Sequence, residues 1–190
     1  MRRFGWVCLA VLILATPRSG HAQQAEKPLP KFEDYPVKEI FAGAPHPPVL
    51  VTREQRLYRT RIREGVEKGW GVWVNGETGR EQNQPGPNFA GHYIVIFWGC
   101  GAACIRMAMS DAETGAVFGP PVTEGQFALA PLMFPDSAGG SAIVEYRLDS
   151  SLMILKTTPH PDRRGSIPYA FYFVWQRDHW ALLRRLPLEQ

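Results

Sequence analysis

The segment NFAGHYIVIFWGCGAACIRMAMSDAETG, at residues 88–115, is the most informative part of this sequence. Two apolar runs flank a Gly/Cys-rich segment, and an Asp/Thr/Gly turn comes after them, so the pattern predicts a β-hairpin. If Cys100 and Cys104 face each other across a three-residue turn, Tyr93 pairs with Asp111 at the other end of the hairpin.

The alternation of side chains supports this register. In a strand, successive side chains point to opposite faces. One face of the predicted hairpin is entirely apolar: Val95, Phe97, Ile105, Met107 and Met109. The other face is mixed: His92, Ile94, Ile96, Trp98, Cys100, Cys104, Arg106, Ala108 and Ser110. A slip of one residue would mix the two sets, so the register is well specified.

Residues 1–22 have the pattern of a secretory signal peptide. A basic start precedes a short apolar run, and small residues precede an expected cleavage site after Ala22. The apolar run is too short to span a bilayer comfortably. We therefore expect a periplasmic or secreted protein with no stable membrane insertion after cleavage. Residues 23–31 are predicted to be a flexible leader, and residues 32–190 a single globular domain.

The basic charge of the chain lies in this leading segment. The full chain has 21 Lys+Arg and 18 Asp+Glu, and residues 1–22 contain Arg2, Arg3, Arg18 and no acidic residue. Cleavage leaves equal numbers of positive and negative side chains. The charge therefore gives no reason to expect a nucleic-acid partner.

Cys100 and Cys104 are the only cysteines after residue 22. Thiols that lie this close in an oxidising compartment usually pair, and opposed hairpin positions have a suitable Cα separation. We expect a disulfide that fixes the turn locally, with a stabilisation of about 2 kcal/mol. Free thiols and metal-bound thiols are the alternatives.

Residues 52–68 are predicted to form one helix, because Thr52 and Gln55 make a capping-box pattern and Gly69 is a natural stop. Helical spacing places Arg61 on the apolar arc together with Leu57. There it either covers apolar surface with its stem or pairs with a carboxylate or a ligand. The preceding segment is predicted to be an extended arm with three aromatic anchors: Phe32, Tyr35 and Phe41.

Short apolar segments joined by tight turns come after the central hairpin, at residues 116–118, 124–134, 142–148, 152–157, 169–176 and 180–186. Their spacing predicts an antiparallel β-meander, arranged as a sandwich or as a partly open barrel. With one N-terminal helix packed on the sheet, the fold class is α+β.

The spacing of His92 and Cys100 disfavours a nucleophilic Cys-His pair. Eight strand residues span about 26 Å, whereas a general base must lie within hydrogen-bond reach of its partner. The same distance weakens a zinc site built from His92, Cys100 and Cys104. We therefore predict no catalytic residue, no metal and no cofactor. Several carboxylates are nevertheless available to a glycosidase-type pair, although we interpret the first two as turn formers: Asp111, Glu113, Asp136, Glu145 and Asp149.

Candidate binding residues lie at both ends of the hairpin. His92 is either a half-buried histidine bonded to a turn carbonyl or a ligand contact at the end of the sheet. Trp98 opposite Arg106 predicts a cation–π pair, which either covers the sheet or forms an exposed recognition patch. The predicted binding residues are Trp98, Arg106, His92, Asn88 and Arg61.

These motifs resemble a family of small uncharacterised exported bacterial proteins. The likeness lies in NFAGHY at residues 88–93, WGCG at residues 98–101, Cys104, and Asp111 with the Thr-Gly three residues after it. It extends to the arm, the helix and the terminal Tyr/Trp hairpin, but an insertion at residues 70–86 departs from the family's shorter link. The resemblance implies export and a shared fold, and it implies no activity.

The leading hypothesis is an exported, non-enzymatic binding or inhibitor-like module. Its expected partner is another envelope or extracellular protein. One alternative is a carboxylate-dependent hydrolase that acts on cell-wall or surface glycans, and another is a structural envelope component.

Overall fold

A computed structural model describes residues 28–69, 85–101, 104–121, 132–133, 144–157 and 167–188. Within these ranges the strands form two four-stranded sheets, neither of which closes into a barrel. The first sheet contains β1 (Tyr93–Gly101), β2 (Cys104–Asp111), β3 (Val117–Phe118) and β4 (Leu132–Met133). The second contains β5 (Val144–Tyr146), β6 (Leu152–Thr157), β7 (Tyr169–Gln176) and β8 (His179–Pro187). The predicted antiparallel, mostly β architecture is confirmed.

The predicted register of the central hairpin holds over most of its length, with Tyr93 opposite Asp111. It is wrong at the turn, where Gly101 rather than Cys100 pairs with Cys104. A β-bulge after Gly99 inserts one extra residue into β1. The bulge shortens the connection to two residues, the length that best matches the twist of paired strands.

The apolar face of this hairpin lies in the main core. Its five predicted residues are all buried, and they share one cluster with side chains of the second sheet. The contributions of that sheet are Val144, Tyr146, Met153, Leu155, Phe171, Phe173 and Trp175. The prediction of this core face is therefore confirmed.

The middle of the mixed face of the hairpin is also buried. Ile94, Ile96 and Trp98 form a second cluster with Ile62 and Val66 from the helical segment. The sequence pattern did not reveal this, because a strand covered on both faces loses the clean alternation of apolar and polar residues.

The predicted single helix is two helices, α1 (Arg53–Leu57) and α2 (Arg59–Lys68). The break lies at Tyr58, whose backbone (φ −99°, ψ 18°) leaves the helical conformation. Both predicted ends are confirmed: Thr52 and Gln55 form the capping box, and Gly69 ends α2 with φ 69°. The break changes the helical phase, so Leu57 is 70% exposed rather than part of the apolar face.

The N-terminal arm packs on both sheets, as its aromatic residues predicted, but the prediction of an extended conformation is wrong at Phe32–Asp34, which form a short 3-10 helix. Phe32 and Tyr35 contact a small cluster on the second sheet, and Phe41 contacts the cluster beneath α2. Ser150, which is almost fully buried, donates a hydrogen bond from Oγ to the carbonyl oxygen of Phe32 at 2.8 Å. These contacts hold the arm across the ends of both sheets.

The last hairpin also has a tighter turn than predicted. Gln176 pairs with His179, so only Arg177 and Asp178 lie between β7 and β8. The predicted signal peptide and most of the predicted insertion at residues 70–86 lie outside the described residues. Among the helices described, none has the length and apolar character needed to cross a bilayer.

Candidate functional site

The segment before β1 is shaped by Asn88. Its side chain accepts a hydrogen bond from the backbone N–H of Val95 at 2.7 Å and donates one to the carbonyl of Val95 at 3.1 Å. Asn88 is 8% exposed. It therefore acts as an extra strand partner that holds the turn at residues 89–92, and the structure gives this predicted binding residue a positioning role.

Asp111 organises the turn at the open end of the hairpin. Its Oδ1 accepts a hydrogen bond from the N–H of Glu113 at 2.9 Å, and its Oδ2 accepts one from the hydroxyl of Thr114 at 2.8 Å. Desolvation by burial acts to raise the pKa of Asp111, but these two bonds and the contact with His92 outweigh it and lower the pKa. The turn-forming role predicted for Asp111 is confirmed, and its carboxyl group is ionised at neutral pH.

His92 lies beside this carboxylate. Its Nδ1 is 3.1 Å from Oδ1 of Asp111 and 3.8 Å from Oε2 of Glu113. The predicted turn-carbonyl partner is therefore replaced by a carboxylate partner. The pairing of Tyr93 with Asp111 brings these groups together. The cluster could therefore have been predicted from the register of the hairpin. It was missed because Asp111 and Glu113 were interpreted only as turn formers.

A cavity of about 960 Å³ opens next to this cluster. The arm forms one wall, the start of β1 and its turn form another, and the β7–β8 turn forms a third. Its charged and titratable lining consists of Lys38, Glu39, His92, Glu113 and Arg177. Its apolar lining consists of Val37, Ile40, Phe41, Ala42, Ala90 and Trp175. Such a volume lies within the range of small-molecule sites, and polar and charged groups supply more of this lining than apolar groups do.

Arg177 enters this cavity from a strained turn. Its φ of 58° is uncommon for a residue with a long side chain. The hydroxyl of Tyr93 donates a hydrogen bond to the carbonyl of Arg177 at 3.1 Å, which holds the turn against the central hairpin. Ala90, on the opposite wall, also has a positive φ of 45°. Sequence reasoning identified the turn but missed its contribution to the site, because the two hairpins meet only in the tertiary structure.

The Trp98/Arg106 pair is covered rather than exposed. Trp98 is 5% exposed, and the ring of Tyr58 lies 5.3 Å from its ring. The guanidinium of Arg106 lies 5.0 Å from the ring centroid of Tyr58, and its Nη1 is 3.8 Å from Oε1 of Glu54. Of the two roles predicted for this pair, the exposed recognition patch is wrong, because the helical segment covers both residues.

Two further predicted site residues, Arg61 and Cys100, do not line the cavity. Arg61 is exposed on α2 rather than on its apolar arc, because the break between the helices changes the phase. His92 precedes β1 and Cys100 lies near its end, so the predicted separation of these two residues is confirmed. The disulfide between Cys100 and Cys104 stays a prediction, since the Cys104 side chain lies outside the described part of the chain.

Of the other predicted carboxylates, Glu145 and Asp149 do not join the cluster. Glu145 forms an ion pair with Lys156 at 2.6 Å in the second sheet. Asp136 lies outside the described residues. Within the site, a general acid would need a raised pKa, which the lowered pKa of Asp111 opposes. The chemistry that the cluster offers is an imidazole oriented by one carboxylate, with a second carboxylate nearby.

The chain matches no protein-family model, no curated protein and no solved structure, so the geometry of the site is the basis on which its function can be inferred.

Proposed function

We propose that this protein is an exported, non-enzymatic binding module whose ligand occupies the cavity beside His92. The observation that carries the proposal is the cavity of about 960 Å³ at the meeting point of the arm and the two hairpins. It replaces the Cys turn as the candidate recognition site, since Trp98 and Arg106 near that turn are covered.

The lining indicates the class of ligand. Lys38 and Arg177 supply positive charge, and Glu39 and Glu113 supply negative charge. Charged groups of both signs in one cleft favour a ligand that carries complementary charges of both signs. Trp175 belongs to the main core and is 6% exposed, so it contributes only a small apolar part of the lining. We infer a small polar molecule with both acidic and basic groups.

Two finer features of the architecture belong to this proposal. We infer that the class is α+β, with the two sheets packed as a sandwich and α2 as an outer layer on β1. The shared core cluster of both sheets supports the sandwich, and the cluster of Ile62 and Val66 with Ile94 and Ile96 supports the outer layer. A sandwich leaves the strand ends free to carry a binding site.

A capture experiment tests the binding role. Mature protein is incubated with small molecules extracted from the cell envelope, separated by gel filtration and denatured, and the released compounds are identified by mass spectrometry. Wild type and Arg63→Ala, a control on the exposed face of α2, should release the same compound. Arg177→Asn should lose it, because Asn tolerates positive φ but lacks the charge. Equal release from all three proteins would contradict the proposal.

The export part has its own test. The full chain is produced in a Gram-negative bacterium, and the intact mass of the periplasmic protein is measured. We expect the mass of a chain that begins at Gln23, because cleavage is predicted after Ala22. A cytoplasmic protein that keeps residues 1–22 would contradict export.

A carboxylate-dependent hydrolase is the second candidate, because oxygen atoms of Asp111 and Glu113 lie within 4.8 Å of each other and of a ring nitrogen of His92. Two carboxylates at about this separation are typical of retaining glycosidases. Release of reducing ends from purified cell-wall glycan, abolished in Glu113→Gln, would establish the enzyme and overturn the non-enzymatic proposal. We expect no turnover.

A further inference from the structure

Three donor groups converge at the edge of the cavity. Nδ1 of His92 lies 3.1 Å from Oδ1 of Asp111 and 3.8 Å from Oε2 of Glu113. One donor atom from each of the three residues lies within 4.8 Å of the other two. They combine one imidazole nitrogen with two carboxylate oxygens, which is a mixed set rather than a run of surface acids.

These separations can be compared with those that a metal ion imposes. An ion with bonds of about 2.1 Å holds adjacent donors about 3.0 Å apart at octahedral angles and about 3.4 Å apart at tetrahedral angles. The 3.1 Å separation of His92 and Asp111 lies within this range, and the 3.8 Å separation of His92 and Glu113 lies above it. The three donor atoms lie within 4.8 Å of one another, so Glu113, whose side chain is 52% exposed, is the ligand that must move to bind the ion.

We propose that His92, Asp111 and Glu113 form a binding site for a divalent transition-metal ion of the zinc class. Nδ1 of the histidine and one oxygen from each carboxylate are the ligands. The two carboxylates balance the charge of a divalent ion. The imidazole nitrogen favours zinc and its neighbours over calcium and magnesium, which prefer sets of oxygen ligands.

The surrounding structure holds these ligands in place. Tyr93 pairs with Asp111 across the hairpin, and the N–H of Ala112 donates to the carbonyl of His92 at 2.8 Å. The hydroxyl of Thr114 donates to Oδ2 of Asp111, the oxygen that the ion does not need. Outer hydrogen bonds of this kind orient metal ligands and strengthen binding.

The cavity would leave one coordination position of the three-ligand site open. His92 and Glu113 both line it, so the ion would face open space on that side. Zinc sites with three protein ligands keep a position open for water or a small molecule. The metal site therefore goes beyond the proposed binding role, and it also gives the cavity a means of holding an anionic group.

The test uses metal alone. Untagged mature protein with its cysteines oxidised is dialysed against EDTA and titrated with Zn²⁺ by calorimetry. We expect one ion per chain, and binding weakened at least tenfold in His92→Ala, Asp111→Asn and Glu113→Gln. Ca²⁺ and Mg²⁺ should bind far more weakly, and equal affinity for Ca²⁺ would contradict the transition-metal assignment.

Three matched controls locate the ion. Glu39→Gln removes a cavity carboxylate outside the cluster, and His179→Ala removes the exposed His–carboxylate pair with Asp178. Replacing Cys100 and Cys104 by Ser removes both thiols. All three should bind Zn²⁺ as the wild type does, and loss of binding in any one would move the site there.

Loss of a metal ligand can be distinguished from loss of stability in these variants. Asp111→Asn removes a turn former and can lower stability, but Glu113 places its half-exposed side chain in the cavity, so Glu113→Gln should unfold at the wild-type temperature without metal. Full Zn²⁺ affinity in folded Glu113→Gln, or absence of stoichiometric binding by the wild type, overturns the proposal. Either result leaves the small-molecule test untouched, since no organic ligand is present.

Discussion

Gly65 of α2 lies so close to Ile96 of β1 that an added methyl group would overlap the Ile96 side chain. The absence of a side chain at this one position lets the helix approach the sheet. We expect Gly65→Ala to lower the free energy of unfolding by about 1–3 kcal/mol, because overpacking outweighs the better helix propensity of alanine. Urea unfolding measures the change.

The control for this variant is Gly99→Ala in β1, where an added Cβ meets no atom of the described residues within 4 Å. It should change stability by less than about 0.5 kcal/mol. In an Ile96→Ala background the cost of Gly65→Ala should shrink, because the overlapping atoms are gone. An unchanged cost in that background would show that the helix and the sheet are not in contact at this point.

Gly91 couples the arm to the candidate site. Its φ is 82°, and an added Cβ would overlap the carbonyl oxygen of Glu39. We expect Gly91→Ala to cost about 2–3 kcal/mol, because the rigid backbone of the arm must move as well as the turn. Thermal unfolding gives the stability, and limited proteolysis of the arm gives the local effect.

Gly86→Ala provides the comparison, because Gly86 also has a positive φ (111°) but its added Cβ meets nothing within 4 Å among the residues that the structure describes. Gly86→Ala should lower the stability only through backbone strain, and the arm should be cleaved by protease as slowly as in the wild type. Faster cleavage of the arm in both variants would contradict a specific contact at Gly91.

Tyr146 has a buried hydroxyl with no hydrogen-bond partner in the part of the chain that the structure describes. Burial raises the pKa of Tyr146. Tyr146→Phe should therefore be neutral or stabilise the protein by up to about 1 kcal/mol at neutral pH, since an unsatisfied polar group is removed. Chemical unfolding at several pH values measures this change.

The pH dependence gives the same variant a second readout. Above the unfolded-state pKa of about 10, the unfolded chain has released the Tyr146 proton while the folded chain still holds it. The folded state is thus disfavoured as pH rises, and the advantage of Tyr146→Phe should widen between about pH 8 and about pH 11. A constant difference across this range would show that the hydroxyl is not the cause.

The disulfide between Cys100 and Cys104 is expected in protein recovered from an oxidising compartment. Alkylation without reductant should leave the intact mass unchanged, whereas alkylation after reduction should add two groups. Because the bridge closes a very short loop, reduction should lower the free energy of unfolding by no more than about 2 kcal/mol. A larger loss would mean that the bridge supports more than its own turn.

Much of the fold could be predicted from local patterns. The apolar face of the central hairpin, the capping box at Thr52 and Gln55, and strands β6 and β7 were all predicted correctly. Alternation, capping and turn chemistry act over a few residues, so neighbouring positions carry enough information. The same patterns missed the break at Tyr58, whose ring packs against Trp98 of β1, a contact between segments far apart in sequence. They also missed the bulge after Gly99.

The candidate site likewise has one part that local sequence patterns predict and another that only tertiary contacts determine. Strand pairing alone predicts that His92 and Asp111 lie at one end of the hairpin, because this pairing depends on a short segment of the chain. Two features of the site depend on contacts between segments far apart in sequence. Trp98 is covered by the helical segment, and Arg177 and the arm enclose a cavity beside His92. Such contacts are set by how whole faces pack together, and no local spacing of residues encodes them.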